Sequence, residues 1–168
     1  MIKPREKMPE LAIDLVNDTQ WKLSEQMPEQ FTMVVLYRGM HCPVCKKYLE
    51  ELQSKLRKFI EKGVNVIAIS SDTEEIAKQT YKDWNIADIP VGYNFSIEAA
   101  RTLGLYISKG IKAEPDTFIE PGLFLIKPDQ TLYAVSLQSM PFARPEFDAI
   151  LKAIDFVVEK DYPARGEA

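Results

Sequence analysis

The sequence predicts an α/β fold in which helices flank a central mixed β-sheet, with a β-hairpin in front of it. Three observations carry that reading. Runs of β-branched and aromatic residues alternate with segments of helical period. The runs in the first half are apolar along their whole length, the pattern of strands covered on both faces. In the second half two runs are separated only by Lys127-Pro128-Asp129-Gln130, a turn sequence, so antiparallel pairing joins the parallel part.

The elements follow in chain order. Residues 11–16 alternate as Leu-Ala-Ile-Asp-Leu-Val, Asn17-Asp18-Thr19-Gln20 supplies a turn, and Trp21-Lys22-Leu23 returns as a hairpin. Residues 31–37 (Phe-Thr-Met-Val-Val-Leu-Tyr) are almost uncharged and predict a buried strand. Val44, Tyr48, Leu52, Leu56 and Ile60 then recur every four residues, with Cys45, Leu49 and Phe59 beside them and lysines and glutamates opposite. Pro43 suits the first helical position, where its missing N–H removes no bond, and Gly63 suits the end. Residues 64–70 form the next strand. Asp72 and Glu75 resemble a capping box opening a helix to about Trp84, with Ile76, Thr80 and Trp84 on one face. Residues 89–93 predict a short strand, and residues 96–103 a short helix closed by Gly104. Residues 105–119 show little regular pattern, which suggests a lid-like or functional segment. Strands over 122–126 and 132–135 come next. Pro145 opens a last helix with an apolar stripe of Phe147, Ile150, Leu151, Ile154, Val157 and Val158.

No repeat, low-complexity tract or linker interrupts the 168 residues, so one domain is expected, with residues 1–8 and 161–168 as tails. A hydrophobic content of 46% excludes a disordered chain. The N-terminus, Met1-Ile2-Lys3-Pro4-Arg5-Glu6-Lys7, carries positive charge with no apolar stretch behind it, and no apolar run would span a bilayer. A net charge of -4 argues against a general nucleic-acid binder. A cytoplasmic protein without membrane or nucleic-acid partners is the expectation.

Chemistry is concentrated in one pentapeptide. His41-Cys42-Pro43-Val44-Cys45 holds both cysteines and the only histidine of the chain. A disulfide across two residues constrains little of the unfolded chain, so this spacing suits redox or metal chemistry better than stapling. Structural zinc needs four ligands, and no second Cys/His pair exists to supply them. Two packed thiols without a task are the plain alternative. A Cys-His or Ser-His-Asp hydrolase needs an imidazole brought from elsewhere in the fold, and His41 is the chain neighbour of Cys42.

If Pro43 is the first helical residue, Cys42 is the N-cap, and its sulfur can accept the N–H groups of Val44 and Cys45 at the positive end of the helix dipole. A free cysteine is only about 3% thiolate at pH 7, and lowering its pKa by two units takes about 2.7 kcal/mol. Arg38 can add a cation if the loop folds back, and His41 is a supporting electrostatic candidate or a plain loop residue. Cys45 lies one turn into the helix on the apolar stripe, so Cys42 is expected to attack and Cys45 to resolve the intermediate.

The segment Tyr37-Arg38-Gly39-Met40-His41-Cys42-Pro43-Val44-Cys45, between a hydrophobic strand and an amphipathic helix, resembles the thioredoxin-fold redoxins. Within them it is most similar to the peroxiredoxin-like branch of the alkyl hydroperoxide reductase C / thiol-specific antioxidant (AhpC/TSA) family. The resemblance continues through Pro121-Gly122-Leu123-Phe124-Leu125-Ile126-Lys127-Pro128-Asp129 and covers about 11–159. It implies a thioredoxin-like fold. The peroxiredoxin pattern Pro-x-x-x-Thr-x-x-Cys would place its cysteine on Cys45, but its Pro falls on Arg38 and its Thr on Cys42. The arginine that peroxiredoxins carry ahead of the later strand falls on Pro121, which instead matches the cis-proline of thioredoxins. The acid that thioredoxins keep in the preceding strand is replaced by Leu36.

The leading expectation is therefore a thiol-disulfide oxidoreductase cycling Cys42 and Cys45, with Pro43, Pro121, Arg38 and His41 in support. A thiol peroxidase acting on hydrogen peroxide or organic hydroperoxides is the alternative that the resemblance implies. A redox-sensing or interaction protein without turnover is the third. No nucleotide, flavin or metal motif is visible, so the expected partners are a protein disulfide or hydroperoxide as substrate and a thiol protein as electron donor. The resemblance leaves room for an oligomer. Arg144, between Ala143 and Pro145, is weighed mainly as a residue just ahead of a helix.

Overall fold

The computed structural model describes residues 1–168. Five strands form the central sheet: β3 (Phe31–Leu36), β4 (Val64–Ile69), β5 (Val91–Gly92), β8 (Gly122–Ile126) and β9 (Leu132–Leu137), in the order β5-β4-β3-β8-β9. β3, β4 and β5 run parallel, whereas β8 and β9 pair antiparallel, so the sheet is mixed. Leu36 at the end of β3 lies opposite both Ile69 and Gly122. Two smaller ladders complete the strands: the N-terminal hairpin of β1 (Ala12–Asp14) with β2 (Gln20–Lys22), and β6 (Ile107–Lys109) with β7 (Thr117–Ile119).

Period-two alternation sorts the central strands into two cores. Phe31, Met33, Val35 and Tyr37 of the first buried run point to the face covered by α1 (Pro43–Glu61) and α4 (Phe147–Lys160). Val34 and Leu36 point to the other face, with the hairpin residues Ile13 and Trp21 and with Ala100 and Leu103 of α3 (Ile97–Leu103). The remaining helix, α2 (Glu74–Asp83), connects β4 to β5.

The long helix corrects the expected stripe. Cys45, Leu49, Leu52, Leu56 and Phe59 are buried, but Val44 and Ile60 are exposed. A strict four-residue row drifts about 40° per step on a 3.6-residue helix, so its two ends roll off the core. Spacings of four and three residues keep to one face, which is how Cys45 comes to lie inside. Val158 of the last stripe is also exposed, and α4 starts at Phe147 rather than Pro145, whose carbonyl accepts the Tyr48 hydroxyl at 2.6 Å.

Three other expectations change. Thr73, not Asp72, caps α2, and its hydroxyl accepts the Ile76 N–H, with Ile76 on the exposed side. Asp72 is freed to turn inward. The stretch 105–119 is not wholly irregular: β6 and β7 pair through Ile107↔Ile119 and Lys109↔Thr117, a ladder too short to leave a hydrophobic period. The terminal segments are held as well. Arg5 N–H donates to the Leu132 carbonyl, Met8 is buried, and the Arg5 guanidinium binds the Ala164 carbonyl. No helix is long and apolar enough to cross a membrane.

Candidate active site

The parallel strands β3 and β4 end side by side, and the loops that leave them meet at the start of α1. Cys42 is the N-cap residue of α1, extended at φ -107° and ψ 101°, with Pro43 at the first helical position as expected. The Cys45 N–H donates to Cys42 Sγ at 3.1 Å. Both thiols are free and buried; Cys42 is 2% exposed.

The two sulfurs have opposite titration behaviour. The Cys45 thiol and the Cys45 backbone N–H both donate to Cys42, and this outweighs burial; with the charges of Arg144 and Arg38 it pulls the Cys42 thiol down to about 7. Cys45 is pushed up, first by that same hydrogen bond to Cys42 and then by burial. The pair titrates as a unit, and its first proton leaves Cys42. Near neutrality the site therefore holds a sulfur that is about half ionised at the helix start and a protonated sulfur one turn inside.

Four charged residues far apart in the chain surround it. Arg38 reaches across to Glu120, which is 1% exposed and also accepts the Ser108 hydroxyl. Burial works against the Arg38 charge, but the Glu120 carboxylate raises its pKa overall, so it stays a cation. Asp72, also buried, accepts the Met40 N–H at 2.8 Å and so fixes the loop just before the cysteines. Burial pushes the Asp72 carboxyl up. The guanidinium of Arg144 lies over the Tyr48 ring, 4.0 Å from its centroid, and its three nitrogens are buried without a hydrogen-bond partner. Of the two arginines that act on Cys42, Arg144 has the larger influence.

The supporting residues expected from sequence are distributed unevenly. Arg38 does fold back, but its closest partner is a carboxylate. His41 packs edge-on against Phe118 at 4.5 Å, its ring nitrogens find no partner, and burial lowers its pKa, so it stays neutral and adds no positive charge. Pro121 corrects an expectation: no peptide bond in the chain is cis. Glu120 and Pro121 join β7 directly to β8, and the Pro121 carbonyl accepts the Gln138 N–H. Pro121 does lie near Tyr48 and Arg144, lining a small void with them.

Asp72, Glu120, Tyr48 and Arg144 were not expected at the site. Glu120 left a signal: it is a lone carboxylate inside Phe118-Ile119-Glu120-Pro121-Gly122-Leu123, and a buried acid needs a cation. Asp72 stands just past the carboxyl end of a parallel strand, where α/β sheets gather their sites. Leu36 belongs to the core on the opposite face from the cysteines.

A mixed sheet with a Cys-x-x-C pair at the start of its first long helix defines a thioredoxin-like redox protein. The AhpC/TSA family profile matches residues 4–135, and the chain belongs to that family of thiol-dependent oxidoreductases. Solved structures share the fold at low identity. The peroxidoxin BcpB of Mycobacterium tuberculosis is 16% identical, with 94% of this chain and 99% of that chain covered and a TM-score of 0.76. A peroxiredoxin 6 of Arenicola marina is 19% identical, covering 96% of this chain and 76% of that one, at a TM-score of 0.78. The reduced Prx3 of Vibrio vulnificus, in complex with hydrogen peroxide, is 14% identical, covering 92% and 99%, at a TM-score of 0.76. A search of curated proteins finds no match.

Proposed function

We propose that the chain is a peroxiredoxin-like thiol peroxidase in which Cys42 attacks the hydroperoxide and Cys45 resolves. The observation that carries this reading is the Cys42 sulfur capping α1, which accepts first the Cys45 thiol and then the Cys45 N–H and is pulled down to about 7. The Cys42 thiolate forms an S–O bond to one peroxide oxygen as the O–O bond breaks. Sulfur loses two electrons, and the departing alkoxide or hydroxide takes up a proton to leave as alcohol or water. Cys45, still a thiol, then attacks the Cys42 sulfenic acid; its proton leaves with the hydroxyl as water and a disulfide forms. A thiol donor returns two electrons.

Burial favours a small oxidant. At 2% exposure, Cys42 offers no path for the disulfide of a folded protein to approach along the S–S axis, whereas a hydroperoxide is a few atoms across. This weighs against protein disulfide exchange as the first function, although the same pair would perform it.

The test is sulfenic-acid trapping after brief peroxide treatment. Cys45→Ser should gain one trapped adduct at Cys42, Cys42→Ser should react slowly, and the unaltered protein should lose two hydrogens to a disulfide. Fast oxidation of Cys45 in Cys42→Ser would overturn the assignment of roles, and slow reaction at both would overturn the peroxidase.

A further inference from the structure

One large buried side chain stands outside both apolar cores. Phe118 of β7 is 2% exposed, yet it packs neither with the cluster under α1 and α4 nor with the cluster on the opposite face. Its strand neighbour Ile119 does join the second core, so alternation turns Phe118 the other way. There its ring meets the loop that carries the cysteines. His41 lies edge-on to it at 4.5 Å, and the Arg38 guanidinium carbon is 5.3 Å from its centroid. The ring thus covers both ends of the stretch 38–41, directly ahead of Cys42. The hairpin that bears Phe118 forms no ladder with the central sheet, because β6 and β7 pair only with each other. Polar contacts fasten it instead. The Ser108 hydroxyl of β6 donates to Glu120, Glu120 holds Arg38 through two hydrogen bonds, and the Ile119 N–H donates to Ser71 Oγ at 3.4 Å. Beside this cover Cys42 is buried, and both His41 ring nitrogens are shut off from water without a partner.

We propose that Phe118 determines which oxidants reach Cys42: the β6–β7 hairpin is a flap that presses this ring onto the cysteine loop, admitting hydrogen peroxide and excluding hydroperoxides with bulky alkyl or aryl groups. The inference rests on the peroxidase reading above and narrows its substrate. Hydrogen peroxide is little larger than water and passes a gap that a tertiary alkyl group does not. A bulky hydroperoxide reaches the sulfur only when the ring lifts. Lifting it parts the contact between His41 and Phe118 and pulls Glu120 away from Arg38. That cost falls on the bulky substrate alone, so the flap discriminates through access and leaves the step at sulfur unchanged. A ring that served only to stabilise the hairpin would affect both oxidants alike.

The test compares rate constants for oxidation of Cys42 by hydrogen peroxide and by cumene hydroperoxide, in the unaltered protein and in Phe118→Leu, which keeps an apolar side chain on the hairpin but removes the ring. Hydrogen peroxide should lead by about tenfold in the unaltered protein, and Phe118→Leu should shrink that lead to about threefold or less. Both reagents meet the same sulfur, so their ratio cancels any change in its ionisation. An equal lead in the two proteins, or no lead in the unaltered one, would overturn the flap. A second series needs neither peroxide nor variant, and so holds even if Phe118→Leu does not fold. Alkylation of Cys42 at neutral pH by N-methyl-, N-ethyl- and N-phenylmaleimide, followed by peptide mass, should slow with reagent size relative to free cysteine. Rates that track free cysteine would overturn the flap and leave the peroxidase reading standing. Slowing with size, together with no oxidation of Cys42 by either hydroperoxide, would overturn the peroxidase reading and not the flap.

Discussion

Arg38 holds Glu120 through two parallel hydrogen bonds, Nε to Oε2 at 2.7 Å and Nη2 to Oε1 at 2.8 Å. The pair ties the loop ahead of the cysteines to the residue that precedes Pro121, so the loop is positioned against β8 rather than left to solvent. The side chains are 15% and 1% exposed, which makes this a buried ion pair rather than a surface one. Removing one partner strands the other charge. Arg38→Ala should destabilise the protein by about 3–5 kcal/mol in urea denaturation, and Arg38→Met combined with Glu120→Leu should recover most of it. A single variant within about 1 kcal/mol of the unaltered protein would contradict the pair's burial.

Gly39 has φ +130°, and a Cβ there would lie 2.5 Å from Asp72 Oδ1. Two effects therefore act on Gly39→Ala, backbone strain and a collision with a carboxylate that is itself bound to Met40 N. We expect a loss of about 2–4 kcal/mol by thermal or chemical unfolding.

Stability of the reduced protein should depend on pH with a definite sign. The folded Cys42 titrates at about 7, below its unfolded value, so its ionisation stabilises the fold. That contribution is complete above the unfolded cysteine pKa of about 8.5 and is lost as pH falls through 7. Cys45 acts oppositely: its folded pKa is raised, so the fold loses stability as pH rises past the point where the unfolded thiol ionises. Unfolding free energy measured from pH 6 to 10 should rise to about 8.5 and then decline. Cys42→Ser should remove the rise above about pH 7 and keep the decline.

Iodoacetamide reports the same thiolate directly. Alkylation of Cys42 should be half-maximal near pH 7, and Arg144→Gln should move that midpoint upward, since Arg144 is the stronger of the two arginine influences on the sulfur. An unmoved midpoint would show that Arg144 takes no part in setting the ionisation.

Phe147 is fully buried, with its ring 4.4 Å from Tyr48 and 6.0 Å from Phe59. It fixes the beginning of α4 and, through Tyr48, the loop that carries Arg144. Phe147→Ala should cost about 3–5 kcal/mol of stability. In the same variant, Cys42 alkylation should lose part of its low-pH reactivity, because Arg144 is no longer held over Tyr48.

The sequence by itself determined the parts that depend on neighbours within a few residues. The buried strands announce themselves because both faces of 31–37 are apolar, and Pro43 directly after Cys42 places that sulfur at a helix start. Ser96 and Gly104 mark both ends of α3. Tertiary structure alone decided the rest of the site. Arg38 and Glu120 are separated by 82 residues, and Met40 and Asp72 by 32. Whether Asp72 caps a helix or turns inward, whether the bond before Pro121 is trans, and whether Arg144 faces water or lies over Tyr48 depend on which elements pack together. Hydrogen-bonded turns and caps are local and leave a period in the chain. Desolvation and pairing of charge depend on distance in space, which the order of residues along the chain does not record.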